Sequence, residues 1–170
     1  MSNPRTKAII LLGHGSRVPD AGKNMEKVAA GLRRKYGYEV VEVCYMSRIG
    51  PHFPEVLDKC VVQGATDITV IPYFLHDGLH LVLDIPEMMQ ELAVKYPQVR
   101  LVLGRNLGFD ETLVDLVEQR IAESKDFSDV RDLSLPPRKE FPVPPGQCVF
   151  VPMDPEEAAE YLARNRLHDH

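Results

Sequence analysis

Three imidazoles stand where two apolar runs break. Residues 8–12 end in Gly13, His14, Gly15, Ser16 and Arg17, and residues 68–74 lead into a short segment carrying His76 and His80 on either side of Gly78. A neutral imidazole near neutral pH can ligate a divalent metal or accept a proton. The glycine-flanked turn can also bring backbone N–H groups and Arg17 up to an anion, although it has neither the spacing of a dinucleotide fingerprint nor the Gly-Lys-Ser/Thr of a P-loop. A carboxylate normally orients such a histidine or takes its proton, and Asp77 and Asp84 are the local candidates. Asp84 suits equally well the cap of a helix beginning at Pro86. His76 and His80, four apart, share a face if residues 75–83 are helical, which Gly78 opposes.

Either histidine segment alone reads as ordinary surface or hydrogen-bonded structure. The elements that carry them change the balance. Apolar, β-branched runs at 8–12, 39–46, 68–74 and 99–103 predict four strands. Between and after them, helical spacing recurs over 21–36, from Pro51 to Gly64, from Pro86 to Tyr96, and over 112–124, where Leu113, Leu116, Val117 and Ile121 fall on one face. The pattern βαβαβαβα has crossovers long enough to require parallel pairing, so an α/β fold is expected: an open parallel four-stranded sheet with helices on both faces. Right-handed crossovers and the commonest arrangement give the strand order 2-1-3-4, whose switch point lies between the carboxyl ends of strands one and three. His14 follows one of these strands, and His76 and His80 follow the other.

Composition bounds what the site can serve. The chain has 170 residues, 44% of them hydrophobic and 26% charged, and a net charge of −5. That balance fits one soluble domain with an appended element and argues against nucleic-acid binding through general phosphate attraction. No apolar run approaches a membrane span, and residues 8–12 are too short for a signal h-region, so a cytoplasmic protein is expected. Cys44, Cys60 and Cys148 are widely spaced with no CxxC, and read as core thiols. Residues 1–126 are expected to form the α/β domain. Residues 127–170 form a proline-rich extension with a short strand at 148–151 and a terminal helix from Asp154 to about residue 166.

The stretch Gly13-His14-Gly15-Ser16-Arg17, together with Pro72-x-Phe74-Leu75-x-x-Gly78-x-His80-x-x-x-Asp84-Ile85-Pro86, resembles the small CbiX/SirB-type class II tetrapyrrole chelatases. The resemblance covers about residues 7–124. It implies a chelatase-like fold, a homodimer, and insertion of a divalent metal, cobalt ahead of iron, into sirohydrochlorin in cobalamin or siroheme biosynthesis. The metal is then substrate, and no permanent cofactor is needed. The family's two active-site histidines fall on His14 and His80, which become the catalytic pair and metal ligands. His76 is an extra imidazole and a further candidate ligand. Ser16, Arg17 and Arg48, with Arg105 beyond them, are the candidates to hold the carboxylates of the tetrapyrrole.

One departure from the family matters most, beside a proline-rich tail outside its pattern and His52 where members usually have a small residue. Members commonly carry a glutamate just after the second strand, where this chain has Ser47. His76 and His52 could take over part of its proton or metal handling, and Glu42 could do so only if the strand register differs. The missing acid gives weight to a second reading, a tetrapyrrole or metal carrier of the same fold that binds without inserting. A small phosphate-binding enzyme using residues 13–17 is a more distant option, unsupported by any nucleophile and base pair.

Overall fold

The computed structural model describes residues 6–16, 20–47, 50–135, 154–156, 159–160 and 163. Four parallel strands form one sheet in the order β2-β1-β3-β4: β1 (Lys7–Gly13), β2 (Val40–Tyr45), β3 (Asp67–Pro72) and β4 (Arg100–Leu103). Among the described residues up to 135 the α-helices are α1 (Lys23–Tyr36), α2 (Phe53–Val62), α3 (Ile85–Ala93) and α4 (Glu111–Glu123). The expected sheet and strand order are therefore those observed. By contact the chain divides into two units, Met1–Leu133 and Ser134–His170. Cys148 and the strand expected at 148–151 lie outside the described residues. In the second unit, residues 155–156, 159–160 and 163 are helical, and Asp154 accepts the Glu156 N–H at 2.9 Å in the manner of an N-cap.

Alternation along the strands creates two unequal faces. Ala8, Ile10 and Leu12 of β1 and Ile68, Val70 and Pro72 of β3 point to one side, where α2 and α3 bring Phe53, Leu57, Ile85 and Met89 into a continuous buried core. Leu11 of β1 and Val41 of β2 point to the other side and are covered by Met25 and Ala29 of α1. Cys44 and Cys60 are fully buried in the first core, the packing role expected of them. Among the described residues no helix is long and apolar enough to cross a membrane.

Local sequence sets the ends of these elements. Gly37, at φ 72°, closes α1 by donating its N–H to Arg33 O, while Arg33, Arg34 and Lys35 sit at the negative end of the helix dipole. Asp110 caps α4 by accepting the Thr112 N–H at 2.9 Å. The third strand ends at Pro72, two residues short of the expected 74. Tyr73 still donates its N–H to Leu12 O at 2.7 Å, but β1 ends at Gly13 and offers no further partner. Tyr73 and Phe74 are thereby released into the loop beyond the sheet.

Candidate functional site

Parallel pairing in register puts the carboxyl ends of β1 and β3 side by side, with Leu12 opposite Pro72. His14 leaves β1 one residue beyond its end, and the chain after β3 returns to place His80 against it. The two rings stand with centroids 5.5 Å apart and planes at 76°. Phe74 packs edge-on to His14 on another side, with centroids 6.5 Å apart. An ion bound to an imidazole nitrogen sits about 2.1 Å from it, hence about 3.2 Å from the ring centroid, so two rings this close can share one ion. Among the described residues no third His, Cys, Asp or Glu joins them as a metal-binding group. Two imidazoles leave most of an ion's coordination sphere to other ligands.

His80 opens a single wide turn, His80–Asp84, in which the Ile85 N–H returns to His80 O rather than to Leu81 O. Pro86 has no N–H to continue the ordinary α register at this point, so the chain widens before α3 begins. The turn lets Asp84 reach back: His80 Nδ1 donates to Asp84 Oδ2 at 2.5 Å. Of the two roles open to Asp84, orienting a histidine and capping α3, its carboxylate takes the first; it makes no cap hydrogen bond. With Nδ1 so engaged, Nε2 is the ring atom with a free lone pair.

His76 is exposed and lies in the bend before Gly78, outside any helix, so the shared helical face with His80 does not form. Asp77 next to it is held by Asn106 Nδ2 at 3.0 Å, tying this loop to the segment after β4. His52 is the residue before α2, where its Nδ1 donates to Tyr45 O at 3.2 Å and its N–H to Glu55 Oε2 at 3.3 Å, an arrangement that starts the helix. Glu42 pairs with Ile10 in mid-strand and takes Lys59 Nζ at 2.8 Å, so the register keeps it away from the strand ends. Arg105 is exposed just beyond β4. Arg17 and Arg48 lie outside the described residues.

Ser47, where the family's acid was sought, instead fixes the histidine turn. Its N–H and Oγ both donate to His14 O, at 3.1 and 3.0 Å. Gly15 lies against the same residue at φ 100°, and a Cβ there would meet Ser47 O at 2.0 Å. These contacts and the Phe74 edge contact were not legible beforehand, since only strand register reveals that residues 14 and 47 adjoin. A depression of about 460 Å³ opens beside the turn, with His14, Ser16, Asp20, Lys23, Tyr45 and Tyr73 among its walls. His14 is one of its walls and His80 is not among the described ones, so the paired imidazoles sit at the rim of this depression. Around His80 the surface is apolar, with Leu79, Val82 and Leu83 more than half exposed.

The CbiX family model matches residues 8–124. A sirohydrochlorin ferrochelatase of Priestia megaterium is 32% identical over 117 residues, covering 69% of this chain and 44% of the relative. A sirohydrochlorin cobaltochelatase of Methanococcoides burtonii is 31% identical over 123 residues, covering 68% of this chain and 94% of the relative. Among solved structures, the sirohydrochlorin chelatase SirB of Bacillus subtilis subspecies spizizenii in complex with cobalt superposes with a TM-score of 0.65 at 33% identity, over 69% of this chain and 50% of that one. The chain thus spans about half the length of the longer relatives and nearly all of the short archaeal one.

Proposed function

The chain belongs to the CbiX family, and on that premise we propose that it inserts a divalent metal into sirohydrochlorin. The observation that carries this reading is the His14–His80 pair, two imidazoles 5.5 Å apart at the rim of the depression. Insertion releases two pyrrole protons as one divalent ion sheds water and enters the ring. One imidazole holds the ion through a neutral nitrogen, and the other accepts the two pyrrole protons in turn and passes each to solvent. Asp84 keeps His80 Nε2 turned to the work. The exposed Leu79, Val82 and Leu83 offer an apolar surface to the flat macrocycle, and Arg17, Arg48, Arg105 and Ser16 are its carboxylate partners. His76 stands by as an additional metal ligand on the loop leading to His80.

Cobalt is the expected metal and iron the second choice, supported by the match to nearly the full length of a short cobaltochelatase. The reaction is assigned to residues 1–126 of a cytoplasmic homodimer, with 127–170 appended. The test is to follow absorbance as purified protein is incubated with sirohydrochlorin and Co²⁺ or Fe²⁺, against a control without protein. Faster insertion is expected. Spectral evidence of binding without acceleration would overturn catalysis in favour of the carrier reading that the Ser47 substitution suggests.

A further inference from the structure

The loop that carries His80 to His14 has little backbone structure of its own. β3 ends at Pro72, and the wide turn that presents His80 is entered where Leu81 and Val82 donate their N–H groups to Gly78 O, at 2.9 and 3.1 Å. Between these points, among the described residues, the backbone of residues 75–77 enters no backbone–backbone hydrogen bond. Gly78, next in line, has open space where a Cβ would stand, so packing does not restrain it either. A loop of this kind holds an imidazole in place only through attachments from outside.

Those attachments come from the stretch after β4. Ladder pairing of β3 with β4 stops at Val70 opposite Leu103, yet the chain runs on alongside. Gly104 donates its N–H to Val70 O at 2.8 Å, an approach that depends on the missing side chain, since a Cβ there would meet Ile71 Cδ1 at 2.5 Å. Gly108, at φ 54°, donates its N–H to Phe74 O at 3.2 Å. Midway between them, Asn106 Nδ2 donates to Asp77 Oδ1 at 3.0 Å. The Gly108 bond grips Phe74, whose ring lies edge-on to His14. The Asn106 bond grips the residue just before Gly78. One short strap thus has a hold behind each imidazole.

We propose that Asn106 is a positioning residue for the paired imidazoles: by holding Asp77 it fixes the entry to the wide turn, and with it the place of His80 Nε2 relative to His14. The inference rests on the metal-handling role proposed for that pair and adds the residue that sets its spacing. Asp77 then acts as a hydrogen-bond acceptor for the strap and not as a ligand or a proton acceptor, in keeping with its engaged carboxylate and with the lack of any three-residue metal-binding group among the described residues. An ion shared by two rings needs both lone pairs aimed at one point, so a loop loosened by about 1 Å loses it. The Asn106–Asp77 bond lies at the surface, where it contributes little to the stability of the fold, and its loss falls on the site.

The readout is Co²⁺ binding to the full chain without tetrapyrrole, followed by titration calorimetry and counted as the part that His80→Ala abolishes. Asn106→Ala removes the bond and keeps the charge, and should weaken that binding about 10-fold with the thermal midpoint nearly unchanged. Asn106→Asp combined with Asp77→Asn rebuilds the bond with donor and acceptor exchanged at the same net charge, and should return the affinity to within about threefold of wild type. Wild-type affinity in Asn106→Ala overturns the proposal. So does a loss that the exchanged pair fails to recover, which would make the Asp77 carboxylate itself a ligand. A loss matched by a fall in the thermal midpoint makes the bond structural and overturns it as well. The insertion assay is read separately. Cobalt binding that follows these variants, in a chain that does not accelerate insertion, keeps the positioning role and removes catalysis; accelerated insertion with cobalt binding indifferent to Asn106 does the reverse. A wild-type chain with no His80-dependent cobalt binding removes both.

Discussion

His80 Nδ1 and Asp84 Oδ2 meet at 2.5 Å across one wide turn that precedes α3. Both side chains are more than half exposed, so the pair adds little to folding stability. Its effect is to fix which ring nitrogen carries the proton and where the other one points. Asp84→Asn should therefore lower insertion about 10- to 100-fold through weaker metal use, with the thermal midpoint nearly unchanged. Rates measured against metal concentration check this, since a merely structural Asp84 would move the midpoint and leave the metal dependence alone.

His14 and His80 face one another and are assigned one job in two parts. His14→Ala and His80→Ala should each reduce insertion by about 10²-fold or more, and the double variant should be little worse than the poorer single one, because groups acting as a unit are not additive. Single-turnover insertion with Co²⁺ measures all three. Full rates in both single variants would remove the pair from the mechanism, whatever the family.

The sheet and its order were legible because they follow from apolar periodicity and crossover handedness, which act locally or through topology; the switch-point rule brought His14 near both His76 and His80, and only the resemblance to the family singled out His80. The role of Asp84 was left between two readings because the sequence does not show the widened turn; the missing N–H of Pro86 is its cause, but its geometry depends on where α3 docks. His52 looked like a spare ligand, and the register that spends it on Tyr45 O and the start of α2 is set by long-range strand pairing. The α4 pattern of Leu113, Leu116, Val117 and Ile121 announces a face to be buried, but an amphipathic helix does not state which chain will bury it.

Gly15 supports the site through the backbone. At φ 100°, with Ser47 O in the space a Cβ would fill, Gly15→Ala must either strain the turn or push away the residue that holds His14 O. A loss of about 1–3 kcal/mol in stability is expected, together with a fall in insertion larger than the remaining folded fraction explains. Urea unfolding and activity measured on the same preparation separate the two effects. Ser47→Ala removes the Oγ bond but keeps the N–H bond, and should fall between wild type and Gly15→Ala.

The paired core thiols give the fold a pH dependence at the alkaline end. Burial, with a smaller push from Cys60, raises the Cys44 thiol from 9.0 to about 12. Burial, with Glu42 raising and Lys59 lowering, takes Cys60 to about 11. The unfolded chain releases these protons near pH 9 while the folded chain still holds them, so the unfolded state binds fewer protons and stability falls as pH rises. The contribution is complete below pH 9 and is lost through the folded values, between about pH 9 and 12. Urea midpoints at pH 8, 9.5 and 10.5 should decline more steeply for wild type than for Cys44→Ala, although that variant starts lower because it leaves a cavity. At pH 8.5 both buried thiols should react with iodoacetamide only after unfolding, since the thiolate is the reactive form and neither is ionised in the folded core.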